Sequence, residues 1–536
     1  MKHLLIYIMM LLAFSSLIPL TTLFLQFCIT GLHRFHSHYS KCRVYMPQVA
    51  ILVPAWNEGD VIGDTIDTLL EMNYPHDALR IYIIDDGSTD NTAKITHAKS
   101  ALYPNNVFYL YREQGGQGKA HTLNFGLKTI LADDWAEAIL IMDADVLFEK
   151  HTLIKMTRHL ADPKVGAVTA YVKEGNIHGN LISAFVAYEY IASQAASRRA
   201  QNVLGVQACL AGGAQLHKRF NIKDIGGQID TSTMAEDTFT TFKTQLVHNK
   251  VIFEGNAFVY AEEPDSLQAL WKQRLRWARG NVHLTVAFRN IWFHRDMSGL
   301  GGIFFDLIWF SVLLMPIFMI MSSIGLVTLF FVDQEISWAI FSFFSNLSLF
   351  VYLFITLFAC LIDPKTAKRA WFAGIMFPGI ISLSVLAIAF APNFFNHTLM
   401  SLAGNNTNYW RNFFVLFIDG WVALCMFFAW GIYRLDRAGV SQKITNILLL
   451  IVGYGPVLCA ISLASFIAEI SNTALKWDKT EKSGKVNSKD LAVEANFNFD
   501  EELAQDIRHE KRLFWYELLV LVVIILIFAL RHYFRL

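Results

Sequence analysis

The sequence predicts an α/β domain with a mostly parallel, Rossmann-like sheet, inserted between membrane-spanning helices. Three observations carry that expectation. Of 536 residues, 54% are hydrophobic and only 17% charged, against roughly 25% charged in an ordinary soluble domain. Apolar runs of spanning length flank the stretch Met46–Arg289 without interrupting it. Inside that stretch, short apolar strands alternate with helix-length segments, the pattern of right-handed crossover units.

The first apolar run, Leu4–Phe27, approaches the roughly 20 residues a spanning helix needs. It is longer than a signal-peptide core and has no small-residue cleavage site, so it reads as a retained anchor. Arg34, Lys41 and Arg43 follow it and place its far end in the cytoplasm by the positive-inside rule. Further runs lie at Phe304–Val332, Trp338–Ile362, Trp371–Ala391, Phe413–Tyr433, Ile447–Ile470 and Phe514–Leu530. Strict alternation would put the lysine-containing stretch Ser471–Arg512 outside. Either that stretch is external, or one of the proline-containing runs, Phe377–Pro392 or Ile447–Ile470, is not a simple crossing. The expected division is 1–45 anchor, 46–290 cytoplasmic domain, 291–470 membrane region, 471–513 polar segment and 514–536 final membrane helix.

Lysine plus arginine and aspartate plus glutamate are equal at 45 each, which excludes a nucleic-acid binder running on overall charge. Six scattered cysteines, four of them in apolar runs (Cys28, Cys360, Cys425, Cys459), form neither a disulfide framework nor a zinc set.

Within the soluble stretch, Val49–Val53 reads as a buried strand, Asp60–Met72 as a helix and Arg80–Ile84 as a second strand. The strands Val107–Tyr111 and Ala138–Met142 follow, each after a helix. Ligands of such sheets bind beyond the carboxyl ends of the strands, and there the acidic and glycine-rich residues gather. Asp85 and Asp86 leave the second strand where a carboxylate can receive a base or ribose, or simply build a turn and cap the next helix. Gly115-Gly-Gln-Gly-Lys119 opens a helix after the third strand, so its amides and Lys119 suit an anion. Ala120 departs from the Walker pattern, which has Ser or Thr after the lysine. Asp143-Ala-Asp145 follows the fourth strand, and its two carboxylates can share one hard cation, Mg2+ or Mn2+. Glu236-Asp237 starts a helix and can supply a general base. Gln273-Arg-Leu-Arg-Trp277, just before the membrane, offers a stacking face and a phosphate-pairing guanidinium, or a belt at the membrane surface.

Asp85-Asp-Gly-Ser88, Gly118-Lys-Ala120, Asp143-Ala-Asp145, Ala235-Glu-Asp237 and Gln273-x-x-Arg-Trp277, in this order and between membrane runs, resemble the membrane-integrated processive family-two glycosyltransferases. That group contains the cellulose, chitin, hyaluronan and poly-N-acetylglucosamine synthases. The resemblance implies a GT-A-type, nucleotide-sugar-binding domain that transfers with inversion from a nucleoside diphosphate sugar, usually a UDP-sugar. It implies Asp85 or Asp86 on the uridine, Lys119 on the nucleotide, Asp143 and Asp145 on the diphosphate with Asp145 on the metal, and Asp237 as general base. Gln273, Arg276 and Trp277 would meet the diphosphate and the terminal acceptor sugar. Cys209-Leu-Ala-Gly212-Gly213 resembles the family's acceptor-side Phe-Phe-Cys-Gly-Ser segment, with Ala211 and Gly213 departing from its cysteine and serine. Ala235 stands where threonine is frequent. Trp477-Asp-Lys-Thr480 resembles an element that some of these synthases carry on the cytoplasmic side.

The leading expectation is a bacterial inner-membrane exopolysaccharide synthase that extends a β-linked polymer and couples extension to export. N-acetylglucosamine is the favoured sugar. Membrane lipid, the growing polysaccharide and an accessory membrane subunit are the expected partners. A non-processive transferase acting once on a lipid or protein is the alternative, and an inactive transporter or scaffold a second.

Overall fold

Continuous apolar runs become strands buried on both faces, as a sheet covered by helices requires. Strands β1 (Val49–Ala55), β2 (Leu79–Asp85), β3 (Val107–Tyr111) and β4 (Ala138–Ile141) pair in parallel in the order β3-β2-β1-β4. Val49 through Val53 are completely buried. The computed structural model describes residues 2–36, 42–176, 179–294, 299–395, 407–471, 473 and 499–533. The helix Lys119–Ala132 lies so close to the sheet that a side chain at Gly126 would stand 2.3 Å from Ile84 Cδ1.

The sheet has a second half that the apolar runs do not announce. Strands β5 (Val146–Phe148), β6 (Val165–Glu174), β7 (Gln215–Lys218) and β8 (Lys250–Ala261) complete the order β3-β2-β1-β4-β7-β6-β8-β5. Here β7 runs antiparallel to β4 and β6, and β5 antiparallel to β8, while β6 and β8 are parallel. The sheet is therefore mixed, with its uniformly parallel half on the β3 side.

Five described helices are long and apolar enough to cross a membrane: Lys2–Phe35, Met315–Val332, Gln334–Ile362, Asn412–Arg437 and Phe499–Tyr533. The chain is thus an integral membrane protein with an α/β domain attached. Three expected runs come out differently. Phe304–Val332 is two helices, and the first, Ile303–Leu313, packs Phe305 and Trp309 against Phe242 of the α/β domain. Trp371–Ala391 falls on Pro364–Met376 and Gly379–Phe390, bent by 82°. Ile447–Ile470 falls on Gln442–Val452 and Tyr454–Ile470, bent by 93°.

The second bent pair removes the difficulty with alternation. Tyr454, at one end of its helix, donates a 2.7 Å hydrogen bond to Glu189 of the α/β domain. Glu469, at the other end, pairs with Arg279 and with His283 (2.7 Å) of the same domain. A helix with both ends on one domain does not cross. Glu502, on the far side of the polar stretch, also binds the domain, through His151 (2.6 Å) and Lys155 (2.5 Å). Ile470 and Phe499, the ends of the two helices that flank the polar stretch, are thus each tied to the α/β domain through neighbouring side chains. Trp477–Thr480 lies outside the described residues. The expected boundary at 513/514 is no break, because one helix runs from Phe499 to Tyr533.

That last helix is clamped to the domain by buried charge. Asp506 meets Lys155 at 2.8 Å. Glu510 meets Arg199 at 2.7 Å and His33 of the first membrane helix at 2.8 Å, and accepts from Asn256 Nδ2 at 3.1 Å. Arg199, His33 and Glu510 are each about 2% exposed.

The two bends touch each other. Tyr454 N and Gly455 N donate to Phe377 O at 2.9 and 3.2 Å. Gly379 and Gly453 have φ of +83° and +99°, and a Cβ on Gly379 would lie 2.5 Å from Gly453 N. Alanine at Gly379 is expected to cost about 1–2 kcal/mol from the left-handed backbone alone, with the backbone overlap added. Thermal unfolding in detergent checks this: Gly379→Ala should melt well below wild type. Gly431→Ala, at a position with open space around it, should not.

Candidate active site

The site is assembled from the carboxyl ends of β2, β3 and β4 and from two segments that cover them. Asp85, the last residue of β2, is fully buried, accepting from Ser88 N and Tyr109 Oη, both at 2.8 Å. Asp86 pairs with Arg112 and accepts from Gly116 N at 2.9 Å. Both carboxylates are thus engaged with the turns that follow β2 and β3. A side chain at Gly115 would sit 2.0 Å from Asp86 O, so only glycine lets the glycine-rich loop lie on the β2 turn. Gly118, at φ +104°, then reverses the chain into the helix that starts at Lys119.

Lys119 is the hub of the site. Its Nζ lies 2.5 Å from Asp143 Oδ1 and 3.6 Å from Glu236 Oε1, and it donates to Gly212 O at 3.4 Å. Burial works against its charge, but Asp143 and Glu236 outweigh that and hold its proton affinity above the usual lysine range. Burial also pushes Glu236 up, with Asp237 adding to the effect and Lys119 opposing it.

Gly212 marks where the predicted residues converge. A Cβ placed there would stand 3.3 Å from Lys119 Nζ, 3.5 Å from Asp237 Oδ2 and 3.6 Å from Asp143 Oδ2. Gly213 lies against Val146, the residue after Asp145 and the first of β5, with only 2.9 Å for an added Cβ. The loop carrying both glycines is pinned on each side. Gln207 N donates to Gln245 Oε1 (2.7 Å) while Gln245 Nε2 donates to Gln207 O (2.9 Å). Leu210 N donates to Thr241 Oγ1, which itself donates to Asp237 O, both at 2.7 Å. The loop is thus tied to the helix that begins with Glu236-Asp237 by hydrogen bonds through Gln245 and Thr241.

The helix Leu267–Ala287 packs against Ala235, two residues before Asp237. A Cβ on Gly280 would lie 2.7 Å from Ala235 Cβ, so the small residue at 235, where threonine was the expectation from resemblance, fits close helix contact. Trp277 stands one turn earlier, on the same side of that helix. It is 39% exposed, with the Arg274 guanidinium 4.1 Å from its ring centroid. Gln273 Nε2 donates to Glu263 at 3.3 Å, and Arg276 is half-buried on the next face.

Asp143 and Asp145 flank Ala144 between β4 and β5, both half-buried. Among the described residues no three His, Cys, Asp or Glu side chains gather into a metal cage. Two hard carboxylates without a third suit a cation that completes its shell with substrate phosphate oxygens and water. The donor set fits Mg2+ or Mn2+ of that shared kind.

Sequence reasoning missed Arg198. Its Nη1 is buried without a hydrogen-bond partner, and Cys209 and Asp237 act on its charge against the lowering effect of burial. It follows the π-helical turn Ile191–Ala196, a geometry frequent at functional sites. Nothing in the local pattern Ser197-Arg-Arg-Ala200 separates it from a surface arginine.

Residues 47–280 match the family model described as "Glycosyltransferase like family 2". The poly-beta-1,6-N-acetyl-D-glucosamine synthase of Staphylococcus aureus (strain MSSA476) is 31% identical over 235 residues, 43% of this chain and 54% of that protein. The synthase of the same name from Staphylococcus epidermidis is 29% identical over 245 residues, 46% of this chain and 56% of that one. The chain thus spans about half the length of the curated relatives it matches. A mannosyltransferase from Pyrobaculum calidifontis, solved with GDP-Man and Mn2+, aligns with a TM-score of 0.47 at 22% identity, over 62% of this chain and 92% of that one.

Proposed function

We propose that this chain, whose residues 47–280 form a family-two glycosyltransferase domain of GT-A type, is a processive polysaccharide synthase. It takes sugar from a UDP-sugar, UDP-N-acetylglucosamine first among the candidates, and extends a β-linked polymer. The observation that carries this reading is the convergence of Lys119, Asp143 and Asp237 around Gly212, at the strand ends and beneath the helix that bears Trp277.

The roles are those that the family resemblance implies for these residues. Asp85 and Asp86 shape the turn that meets the nucleoside, and Lys119 neutralises diphosphate charge. Asp143 and Asp145 would hold Mg2+ or Mn2+, and the cation when bound would offset charge on the departing diphosphate. Trp277 stacks on the terminal acceptor sugar, with Gln273 and Arg276 beside it and the Gly212-Gly213 loop completing the acceptor side. Asp237 removes the proton from the acceptor hydroxyl. The oxygen then attacks the anomeric carbon from the face opposite the diphosphate. One C–O bond forms, the bond to the diphosphate breaks, and the configuration inverts.

The membrane helices support polymer export, since a sugar chain crosses hydrocarbon only through a path that spares it desolvation. Basic residues crowd helix ends near the domain (Lys365, Lys368, Arg369, Arg434, Arg437 and Lys443), as they do on the cytoplasmic side of a bacterial inner-membrane protein. The outward apolar faces of the helices would meet lipid and leave room for an accessory subunit.

Purified protein in nanodiscs, given Mg2+ or Mn2+ and a panel of UDP-sugars, tests this. The expected result is UDP release and a high-molecular-weight product from one donor, both abolished by chelation. A product one sugar long would instead identify a single-transfer enzyme.

A further inference from the structure

Tyr454 belongs to neither the α/β domain nor a crossing helix, yet it reaches the acceptor-side helix. It is completely buried. Its ring stacks on Phe185 with centroids 5.0 Å apart and planes 10° apart, and Phe377 meets it edge-on at 5.3 Å. The crossing of the two bends fixes its backbone, through the hydrogen bond from Tyr454 N to Phe377 O. The hydroxyl consequently has one available position.

From that position Tyr454 Oη donates to Glu189 Oε2 at 2.7 Å. The same oxygen accepts from Arg274 Nη2 at 2.9 Å. Arg274, 6% exposed, donates through Nη1 to Gln273 Oε1 at 2.6 Å and lies over Trp277. An unbroken polar chain thus links the broken helix pair to two residues of the acceptor face. A buried guanidinium holds one rotamer only while its carboxylate partner is itself held, and each member of such a network sharpens the next.

We infer that Tyr454 and Glu189 are positioning residues for acceptor binding: acting through Arg274, they set Gln273 and Trp277. The inference rests on the acceptor role proposed above for that helix. Neither residue touches the donor side, where Lys119 and Asp143 lie.

The test compares wild type, Tyr454→Phe, Glu189→Gln and the double variant in nanodiscs. Acceptors are oligosaccharides cut from the wild-type product. Each single variant should raise KM for acceptor about tenfold, the lower end of a hydrogen bond to a charged group, and shorten the polymer. KM for donor should stay within twofold. The double variant should be no worse than the stronger single one, because both break the same chain. Hydrogen–deuterium exchange of the 267–287 peptide reads the same event without turnover, and it should quicken in Tyr454→Phe. Unchanged acceptor KM and unchanged exchange would overturn the positioning role alone, as would equal rises in donor and acceptor KM. A wild-type protein that makes no product, with exchange still quickened in Tyr454→Phe, would overturn the acceptor reading while leaving the mechanical link in place.

Discussion

Asp237→Asn is expected to lower the rate of sugar transfer by roughly two to four orders of magnitude, the usual worth of a positioned general base. The substitution keeps shape and the hydrogen bond from Thr238 N to Oδ1 (2.7 Å), so the helix start should survive. Glu236 cannot stand in for it. Its Oε1 is turned toward Lys119 Nζ, 3.6 Å away. UDP affinity should change little, because the nucleotide-side groups are untouched. The measurement is kcat at saturating donor beside UDP binding by calorimetry. A variant retaining more than a tenth of wild-type kcat would remove Asp237 from the role of base.

The second large effect lies far from the chemistry. Glu510→Ala strips Arg199 and His33 of their shared carboxylate and leaves a cation 2% exposed without its partner. Breaking one side of a buried ion pair costs about 3–5 kcal/mol, a large share of a typical domain's 5–15 kcal/mol. Arg199 keeps carbonyl acceptors at Ala195 (2.7 Å) and Gly255 (3.1 Å), which stabilise the guanidinium but do not neutralise it. The expected outcome is a steep loss of folded protein and a much lower melting temperature in detergent. Arg199→Met combined with Glu510→Ala should recover part of the loss, since no lone charge then remains. If the double variant is as unstable as the sum of the single ones, the pair is not coupled.

The parallel half of the sheet was legible because its strands are unbroken apolar runs that end in Asp and Gly turns. β7 was not, since Gln215-Leu-His-Lys218 is four residues with polar ends and is made a strand by β4 and β6 on either side. Lys119, Asp143 and Asp237 were legible for a related reason. Each stands at the end of an element, where its residue type has few structural explanations. Arg198, Glu189 and Tyr454 come from the middle of helices or from the start of an apolar one. Their significance exists only in contacts with residues far away in the chain, such as the 265 positions that separate Tyr454 from Glu189. Hydropathy found the membrane runs, but the sharp bends at Gly379 and Gly453 depend on each other's backbone and had no local sign beyond proline and glycine.

The ion cluster at Glu510 also imposes an order on biosynthesis. Arg199 leaves the ribosome 311 residues before the carboxylate that neutralises it, an interval of roughly 15–60 s at ordinary elongation rates. During that time the nascent α/β domain holds an uncompensated cation at the surface where the last helix will dock. The first membrane helix waits beside it with His33. Completion of the final helix is therefore the event that closes the domain, and a ribosome stalled before that point would present an open, chaperone-accessible intermediate in place of a working enzyme.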